Sequence, residues 1–178
     1  MLMRSLYETG LFCSLTYRDM PFVLAPNTWG SLARRGKQDM DQAERAHADG
    51  VLVDFDSPEA LEEVFWRVFC GDRYIQADKL SAMRVDAETK VRFQTYIAMI
   101  LHRYGSERYL SKNNNNVLRL GDVLATFPNA KALIPFRQPE QQALSLLRQH
   151  QRFLEMHQRD RCSESYMRWL VHHEFGRD

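Results

Sequence analysis

The sequence predicts an α/β domain in which a largely parallel sheet is flanked by helices. Short runs rich in strand-forming residues alternate with longer segments whose apolar residues recur at helical spacing. Strands that alternate with helices in this way typically form a parallel sheet. With 178 residues and 44% apolar content, the chain is long enough for one domain that buries roughly 70% of its unfolded surface. We therefore expect residues 1–178 to form a single domain.

Composition argues against several classes of partner. The 24 Lys and Arg residues balance 23 Asp and Glu residues, so the net charge of +1 provides no overall attraction to nucleic acid or to a membrane surface. Apolar runs such as "YIAMIL" are too short to span a membrane, and the N-terminus lacks the pattern of a signal peptide. Cys13, Cys70 and Cys162 lack paired metal-ligand spacing. They indicate reduced thiols in a cytoplasmic protein.

The N-terminal part of the chain is predicted to contain one helix and two strands. "MLMRSLYETG" has helical periodicity and ends at Gly10, a plausible C-cap. "LFCSLTY" and "VLVDF" are rich in strand formers. The strongly polar residues 32–49 between them are expected to form an exposed helix or a mobile excursion.

Two helices follow, and each has clear start and stop signals. "SPEALEEVFWRVFCG" opens with Ser57 as N-cap and a proline at the first helical position, and it closes at Gly71. "DAETKVRFQTYIAMILHRYG" runs from Asp86 or Thr89 to Gly105. Its apolar face is expected to pack on the sheet.

The C-terminal part is predicted to contribute two more strands and three helices. "RYLSK" is a short strand, "NNNN" is a loop, and "VLRLGDVLATFP" is a short helix ended by Pro128. "KALIPF" is expected to be a buried strand. Helices are then predicted from about Pro139 to His157 and from Ser163 to Gly176.

Basic residues follow two of these strands at their carboxyl ends. In parallel sheets ligands bind at this edge, where helix N-termini offer free N–H groups. Lys112 ends "RYLSK", Arg137 directly follows "KALIPF", and Ser145 lies eight residues further on, in the helix that begins near Pro139. A guanidinium and a hydroxyl in this arrangement can bind one phosphate. A surface salt bridge is the alternative interpretation of Arg137.

The segment "KALIPFRQPEQQALSLLRQH" resembles the 3′-phosphate-binding segment of the sulfotransferase family. That segment has a strand, an Arg-x-Pro and a Ser eight residues after the Arg; Arg137, Pro139, Ala143 and Ser145 match it. The preceding "RYLSKNNNNVLRLGDVLATFPNAKALI" is similar to the family's strand ending in Ser-Lys, short helix and Phe-Pro-x-Ala-Lys. The likeness is most specific over residues 108–150, and "SLTYRDMPFVLAPN" and "RWLVHHEFG" look like stretches of a bacterial subgroup.

The resemblance implies a fold related to P-loop nucleotide kinases and a sulfuryl-transfer activity. The donor would be 3′-phosphoadenosine 5′-phosphosulfate (PAPS), the acceptor a hydroxyl or amine, and no metal ion would take part. By the same resemblance, Arg137 and Ser145 would bind the 3′-phosphate of PAPS, and Lys112 would lie near the sulfuryl group. Cations and helix N-termini suit this reaction because negative charge develops on the sulfuryl oxygens and the leaving phosphate.

The base that removes the acceptor's proton is harder to assign. Cytosolic sulfotransferases carry a histidine two residues after the matching lysine, but this position is Asn114 here. Asp19, in "YRD" after the first strand predicted here, is therefore our candidate for the base. Asn113 and Asn114 are candidates for binding the acceptor, with a solvated loop as the alternative interpretation of "NNNN".

One part of the family's pattern is absent from this sequence. The family's phosphosulfate loop lies between its first strand and first helix, whereas this sequence starts within that helix and contains no Gly-x-x-x-x-Gly-Lys-Ser/Thr. We expect a sulfotransferase-like domain without its first strand and phosphosulfate loop, and also incomplete at its C-terminus. The alternatives are an inactive remnant that acts only as a nucleotide-binding or interaction module, and another transferase of P-loop ancestry. An unpaired sheet edge would favour a homo-oligomer.

Overall fold

The structure, a computed structural model, describes residues 2–33, 41–44, 50–169 and 176. The chain divides into two compact units. The first unit combines Met1–Arg45 with Gly50–Asn129, and the second combines Ala46–Asp49 with Ala130–Asp178. The expectation of a single domain stays a prediction.

The first unit is mostly helical. Two short strands, β1 (Ala43–Glu44) and β2 (Leu52–Val53), pair antiparallel with Ala43 opposite Val53. Short 3₁₀ helices cover Tyr17–Asp19 and Asn114–Leu118. The α-helices of this unit are α1 (Leu2–Tyr7), α2 (Pro26–Ala33), α3 (Glu63–Tyr74), α4 (Ala87–Tyr104) and α5 (Leu120–Thr126).

Aromatic side chains from α3 and α4 form the centre of this unit's core. Phe65 and Trp66 of α3 pack against Phe93 and Tyr96 of α4, and the ring centroids of the contacting pairs lie 4.5 to 5.2 Å apart. All four residues are at most 3% exposed. Because each aromatic side chain buries about 150–250 Å², this layer holds α3 and α4 together.

The helix signals are most accurate for α4, α5 and a helix of the second unit, α6 (Pro139–Arg159). The Asp86 side chain caps α4 by accepting a hydrogen bond from the Thr89 N–H at 2.8 Å, and Gly105 ends the helix with a φ of +61°. Helix α5 ends shortly before Pro128, and α6 begins at Pro139. These predictions are confirmed because caps and helix-breaking prolines act through the local backbone.

Helix α3 begins later and ends later than its sequence signals indicate. The Ser57 hydroxyl does not cap the helix; it donates a hydrogen bond to Asp54 Oδ1 at 2.8 Å, and the Asp54 N–H donates back to it at 3.0 Å. Serine often makes such local turns in competition with helix capping. The helix also continues past Gly71 to Tyr74.

The predicted parallel sheet flanked by helices is wrong. The described residues are mostly helical, and their only sheet has two antiparallel strands. The segments "LFCSLTY" and "RYLSK" do run parallel, but they share one bridge, Cys13 with Tyr109. In this bridge the Cys13 N–H donates to the Arg108 carbonyl, and the Leu110 N–H donates to the Cys13 carbonyl, both at 2.8 Å. Three residues after Cys13, the backbone N–H of Thr16 donates to the Asp19 carboxylate rather than to a carbonyl of "RYLSK".

The second unit contains α6 (Pro139–Arg159) and α7 (Arg161–Trp169). The buried strand predicted at "KALIPF" is wrong, because residues 131–138 form neither helix nor strand. Its apolar side chains are exposed: Leu133 by 64%, Ile134 by 79% and Phe136 by 89%. A short apolar run does not by itself specify a strand partner, and Pro135 has no N–H to donate to one.

Two sequence expectations fall mainly outside the described residues. The polar segment 32–49 includes residues 34–40 and 45–49, which are not described. The end predicted for the last helix at Gly176 follows residues 170–175, which are also not described. The start of that helix, α7, lies at Arg161, two residues before the predicted cap.

Candidate functional site

Two adjacent buried glutamates, Glu62 and Glu63, stand at the start of α3 and are 2% and 4% exposed. Glu62 accepts hydrogen bonds from Trp66 Nε1 at 3.0 Å, from Asn116 Nδ2 at 3.2 Å and from the Tyr109 hydroxyl at 3.2 Å. These neutral donors replace the water that a buried carboxylate loses.

Glu63 binds a cation as well as neutral donors. It forms a buried ion pair with Arg119 and accepts hydrogen bonds from the Tyr74 hydroxyl at 2.5 Å, Asn113 Nδ2 at 2.6 Å and Asn115 Nδ2 at 3.1 Å. Both oxygens of the carboxylate are therefore used. The position of Glu63 in the first turn of α3 also suits its charge, because the helix dipole is positive there.

Arg119 completes this cluster and is itself fully buried. Its guanidinium carbon lies 4.6 Å from the centroid of the Trp66 ring and 5.2 Å from that of Tyr74, and its Nε donates to Asn116 Oδ1 at 3.0 Å. The other nitrogen, Nη1, has no hydrogen-bond partner among the described residues. We call Glu62, Glu63, Asn113, Asn115, Asn116 and Arg119 the glutamate–asparagine network.

Two tyrosines beside this network stay protonated. Burial, followed by the hydrogen bond to Glu63, raises the pKa of Tyr74. Burial, followed by the negative charge of Glu62, raises the pKa of Tyr109 well above its usual value. Both hydroxyls therefore act as hydrogen-bond donors to the carboxylates across the physiological pH range.

Sequence reasoning missed this network. The sequence predicts a loop at "NNNN", whereas Asn114 begins a 3₁₀ helix and Asn113 caps it by accepting a hydrogen bond from the Asn115 N–H at 3.0 Å. Two signals could have revealed it: a glutamate pair directly before the apolar "VFW", and Arg119 between two leucines in "VLRLG". Each places a charge where the periodicity requires a buried residue.

The residues predicted to bind the acceptor have different surroundings. The Asn113 side chain is engaged with Glu63, whereas Asn114 is exposed. Lys112, the predicted cation beside the sulfuryl group, is exposed and directly precedes Asn113. These roles stay predictions.

Asp19, our candidate base, is completely buried. Its Oδ2 accepts hydrogen bonds from the Thr16 N–H at 2.8 Å and the Tyr104 hydroxyl at 2.7 Å, and its Oδ1 lies 2.5 Å from Arg103 Nη1. Arg103 also donates to the Pro26 carbonyl at 2.7 Å. Asp19 thus connects its own 3₁₀ helix to α4, and through Arg103 to α2. These contacts give Asp19 a structural role, and its role as a base stays a prediction.

The two predicted phosphate ligands belong to the second unit. Arg137 is exposed and lies two residues before Pro139, the first residue of α6, while Ser145 is half-buried further along that helix. Gln138 occupies the N-cap position and makes no side-chain capping bond within the described part of the chain. The first turn therefore offers N–H groups without a side-chain cap. From the helical rise, Ser145 lies about 9 Å beyond Pro139 along the axis.

Comparisons with protein-family models, curated proteins and solved structures found no significant match to this chain. Of the helices within the described ranges, none has both the length and the apolar character needed to cross a membrane. The described residues also contain no group of three or more His, Cys, Asp or Glu side chains placed to hold a metal ion.

Proposed function

We propose that this protein binds PAPS through Arg137 and Ser145 and transfers its sulfuryl group to a hydroxyl or amine acceptor. The observation that carries the proposal is the position of Arg137 directly before the uncapped N-terminus of α6. It supports the role that the sulfotransferase-like sequence pattern implies for this arginine. The 3′-phosphate is the group expected to bind there.

The chemistry of a helix N-terminus supports phosphate binding at this position. The aligned peptide dipoles are equivalent to roughly half a positive charge at that end, and the free N–H groups point out of the helix. An arginine can add two parallel charge-assisted hydrogen bonds to phosphate oxygens. Glu140 opposes the attraction because its carboxylate lies in the first turn of α6.

Lys112 is proposed as the cation near the sulfuryl group. The resemblance carries this role, and a lysine ammonium in it would stabilise charge that develops on the sulfuryl oxygens during transfer. We also propose a cytoplasmic location, because Cys13 and Cys70 are buried free thiols. Nucleic acid is not an expected partner, and self-association to a homo-oligomer is expected from the exposed apolar segment at residues 133–136.

A second candidate function is nucleotide binding without transfer. It is favoured by the surroundings of Asp19, whose carboxylate has no exposed surface and is paired with Arg103. A general base must come within hydrogen-bond reach of the proton that it removes. Transfer of labelled sulfate from PAPS to a panel of acceptors distinguishes an enzyme from a binding module.

Calorimetric titration tests the phosphate site directly. Wild type is expected to bind 3′-phosphoadenosine 5′-phosphate (PAP) more tightly than AMP, which lacks the 3′-phosphate. Arg137→Ala should weaken PAP binding about ten- to a hundredfold, the loss expected for a charge-assisted hydrogen bond. It should leave AMP binding unchanged, and Glu140→Gln should tighten PAP binding.

Arg148→Ala is the matched control for Arg137→Ala. It also removes one positive charge from the second unit, but Arg148 lies nine residues into α6 and far from its N-terminus. Equal losses in the two variants would indicate general charge attraction and contradict the proposed site. Absence of any heat with wild type would reject the proposed function.

A further inference from the structure

Helix α6 has two different faces. Phe153 and His157 are each 2% exposed, and their ring centroids lie 5.6 Å apart. Gly176, from the C-terminal segment of the same unit, packs against both side chains. Leu144 precedes Phe153 by nine residues, about two and a half helical turns, and therefore stands on the opposite face. The second unit thus covers one face of α6 with its own chain.

The face that carries Leu144 is exposed and partly apolar. Leu144 and Leu147, one turn apart, are 56% and 52% exposed. The segment directly before the helix adds Leu133, Ile134 and Phe136, which are exposed by 64%, 79% and 89%. Each such side chain offers on the order of 100 Å² of apolar surface, so two copies would together bury about 1,000 Å², the lower limit for a specific interface. The apolar area is therefore just sufficient for a dimer.

The charges around Leu144 are placed symmetrically along the helix. Glu140 lies four residues before Leu144 and Arg148 lies four residues after it, and both are exposed. Each is rotated by about 40° from Leu144 around the helix axis, so the three side chains belong to one stripe. Glu140 and Arg148 are about 12 Å apart along the axis, which is too far for a pair within the helix.

A second copy that runs antiparallel matches this arrangement. With a two-fold axis beside Leu144, Glu140 of one copy lies level with Arg148 of the other, and the same pair repeats on the other side of the axis. The two Leu144 side chains meet at the axis. A parallel second copy would instead place Glu140 beside Glu140 and Arg148 beside Arg148, and like charges oppose this arrangement.

We propose that the exposed face of α6 around Leu144 binds the same face of a second copy of this chain, in an antiparallel two-fold dimer. The leucines supply the apolar contact, and the two Glu140–Arg148 pairs fix the direction and the register of the helices. The inference gives a surface and a symmetry to the self-association expected from residues 133–136. It does not rest on PAPS binding, and its tests need no nucleotide.

Sedimentation equilibrium over a range of protein concentrations measures the dissociation constant of the dimer. Leu144→Glu should raise this constant about a hundredfold or more, because two carboxylates replace two leucines at the axis. Val91→Glu is the matched control, since Val91 is 60% exposed on α4 of the first unit and its replacement should leave the constant unchanged. Thermal unfolding identifies any variant that fails to fold.

Exchange of the two charges tests the antiparallel register. Glu140→Arg and Arg148→Glu should each raise the dissociation constant about tenfold, because each turns two attractive pairs into repulsive ones. The double variant Glu140→Arg/Arg148→Glu restores both pairs across the axis and should return the constant to within about threefold of the wild-type value. This rescue cannot arise within one helix, since the two positions are eight residues apart.

Three results would contradict the inference. A wild-type chain that stays monomeric at every concentration would overturn it, and this is the result expected if another part of the same chain covers the face in solution. A dimer that Leu144→Glu leaves intact would overturn it as well, because another surface would then hold the copies together. A double variant that dimerises no better than the single variants would reject the antiparallel register.

Discussion

Replacing Arg119 with methionine is expected to lower the free energy of unfolding by about 3–5 kcal/mol, the usual cost of breaking a buried ion pair from one side. The change removes the only cation that contacts Glu63 among the described residues, while a linear apolar side chain still covers the Trp66 ring. The glutamate keeps its three neutral donors but loses the compensation for its charge.

The magnitude follows from the burial of the pair. The side chains of Arg119 and Glu63 are 0% and 5% exposed, so water cannot take the place of the missing guanidinium. Loss of the cation–π contacts with Trp66 and Tyr74 accounts for about 0.5–2 kcal/mol of the expected loss in unfolding free energy. Urea unfolding followed by tryptophan fluorescence and circular dichroism measures the change.

Two further variants make the result specific. Arg92→Met breaks the surface pair with Glu88, in which Arg92 is 51% and Glu88 74% exposed, and the contact of its guanidinium with the Phe69 ring; it should cost about 1 kcal/mol or less. The double variant Glu63→Gln/Arg119→Met should be more stable than the sum of its single variants predicts, because it leaves no unpaired buried charge. A loss in Arg119→Met no larger than that in Arg92→Met would refute the reasoning.

Two other changes test the electrostatics and the backbone of the first unit. The Lys90 ammonium and then the Val85 N–H hold the pKa of Asp122 below its usual value of 3.8. The ionised carboxylate therefore stabilises the fold above that pH, and urea midpoints should fall less steeply in Asp122→Asn than in wild type as the pH drops through the acid range. Gly105→Ala should cost about 1–2 kcal/mol because its φ is +61°, whereas Gly121→Ala in α5 meets no atom within 4 Å and should be neutral or stabilising in thermal unfolding.

The exposed segment after the first unit shows why strands were harder to predict than helices. Leu133, Ile134 and Phe136 form an apolar run that would be expected in a core, yet all three are more than 60% exposed. A helix satisfies its own backbone, so caps and periodicity are enough to define it. A strand needs a second segment in register, and this information is not local.

The same difference between local and non-local information applies to the candidate site residues. The sequence indicated Arg137 as an anion ligand from its place before a helix that Pro139 begins, and the start of that helix is confirmed. It suggested Asp19 as a base because an aspartate followed a predicted strand. Only the fold shows that Asp19 is enclosed by Thr16, Tyr104 and Arg103.

The sequence by itself determined where α4, α5 and α6 lie, because capping side chains, a left-handed glycine and prolines act within a few residues of the backbone that they control. Tertiary structure alone decided that "LFCSLTY" and "RYLSK" meet at a single bridge, and that the asparagine run binds two buried glutamates about 50 residues earlier in the chain. Such contacts depend on which polar groups become buried when the chain folds. Residues distant in sequence then supply the hydrogen bonds that these groups no longer make to water.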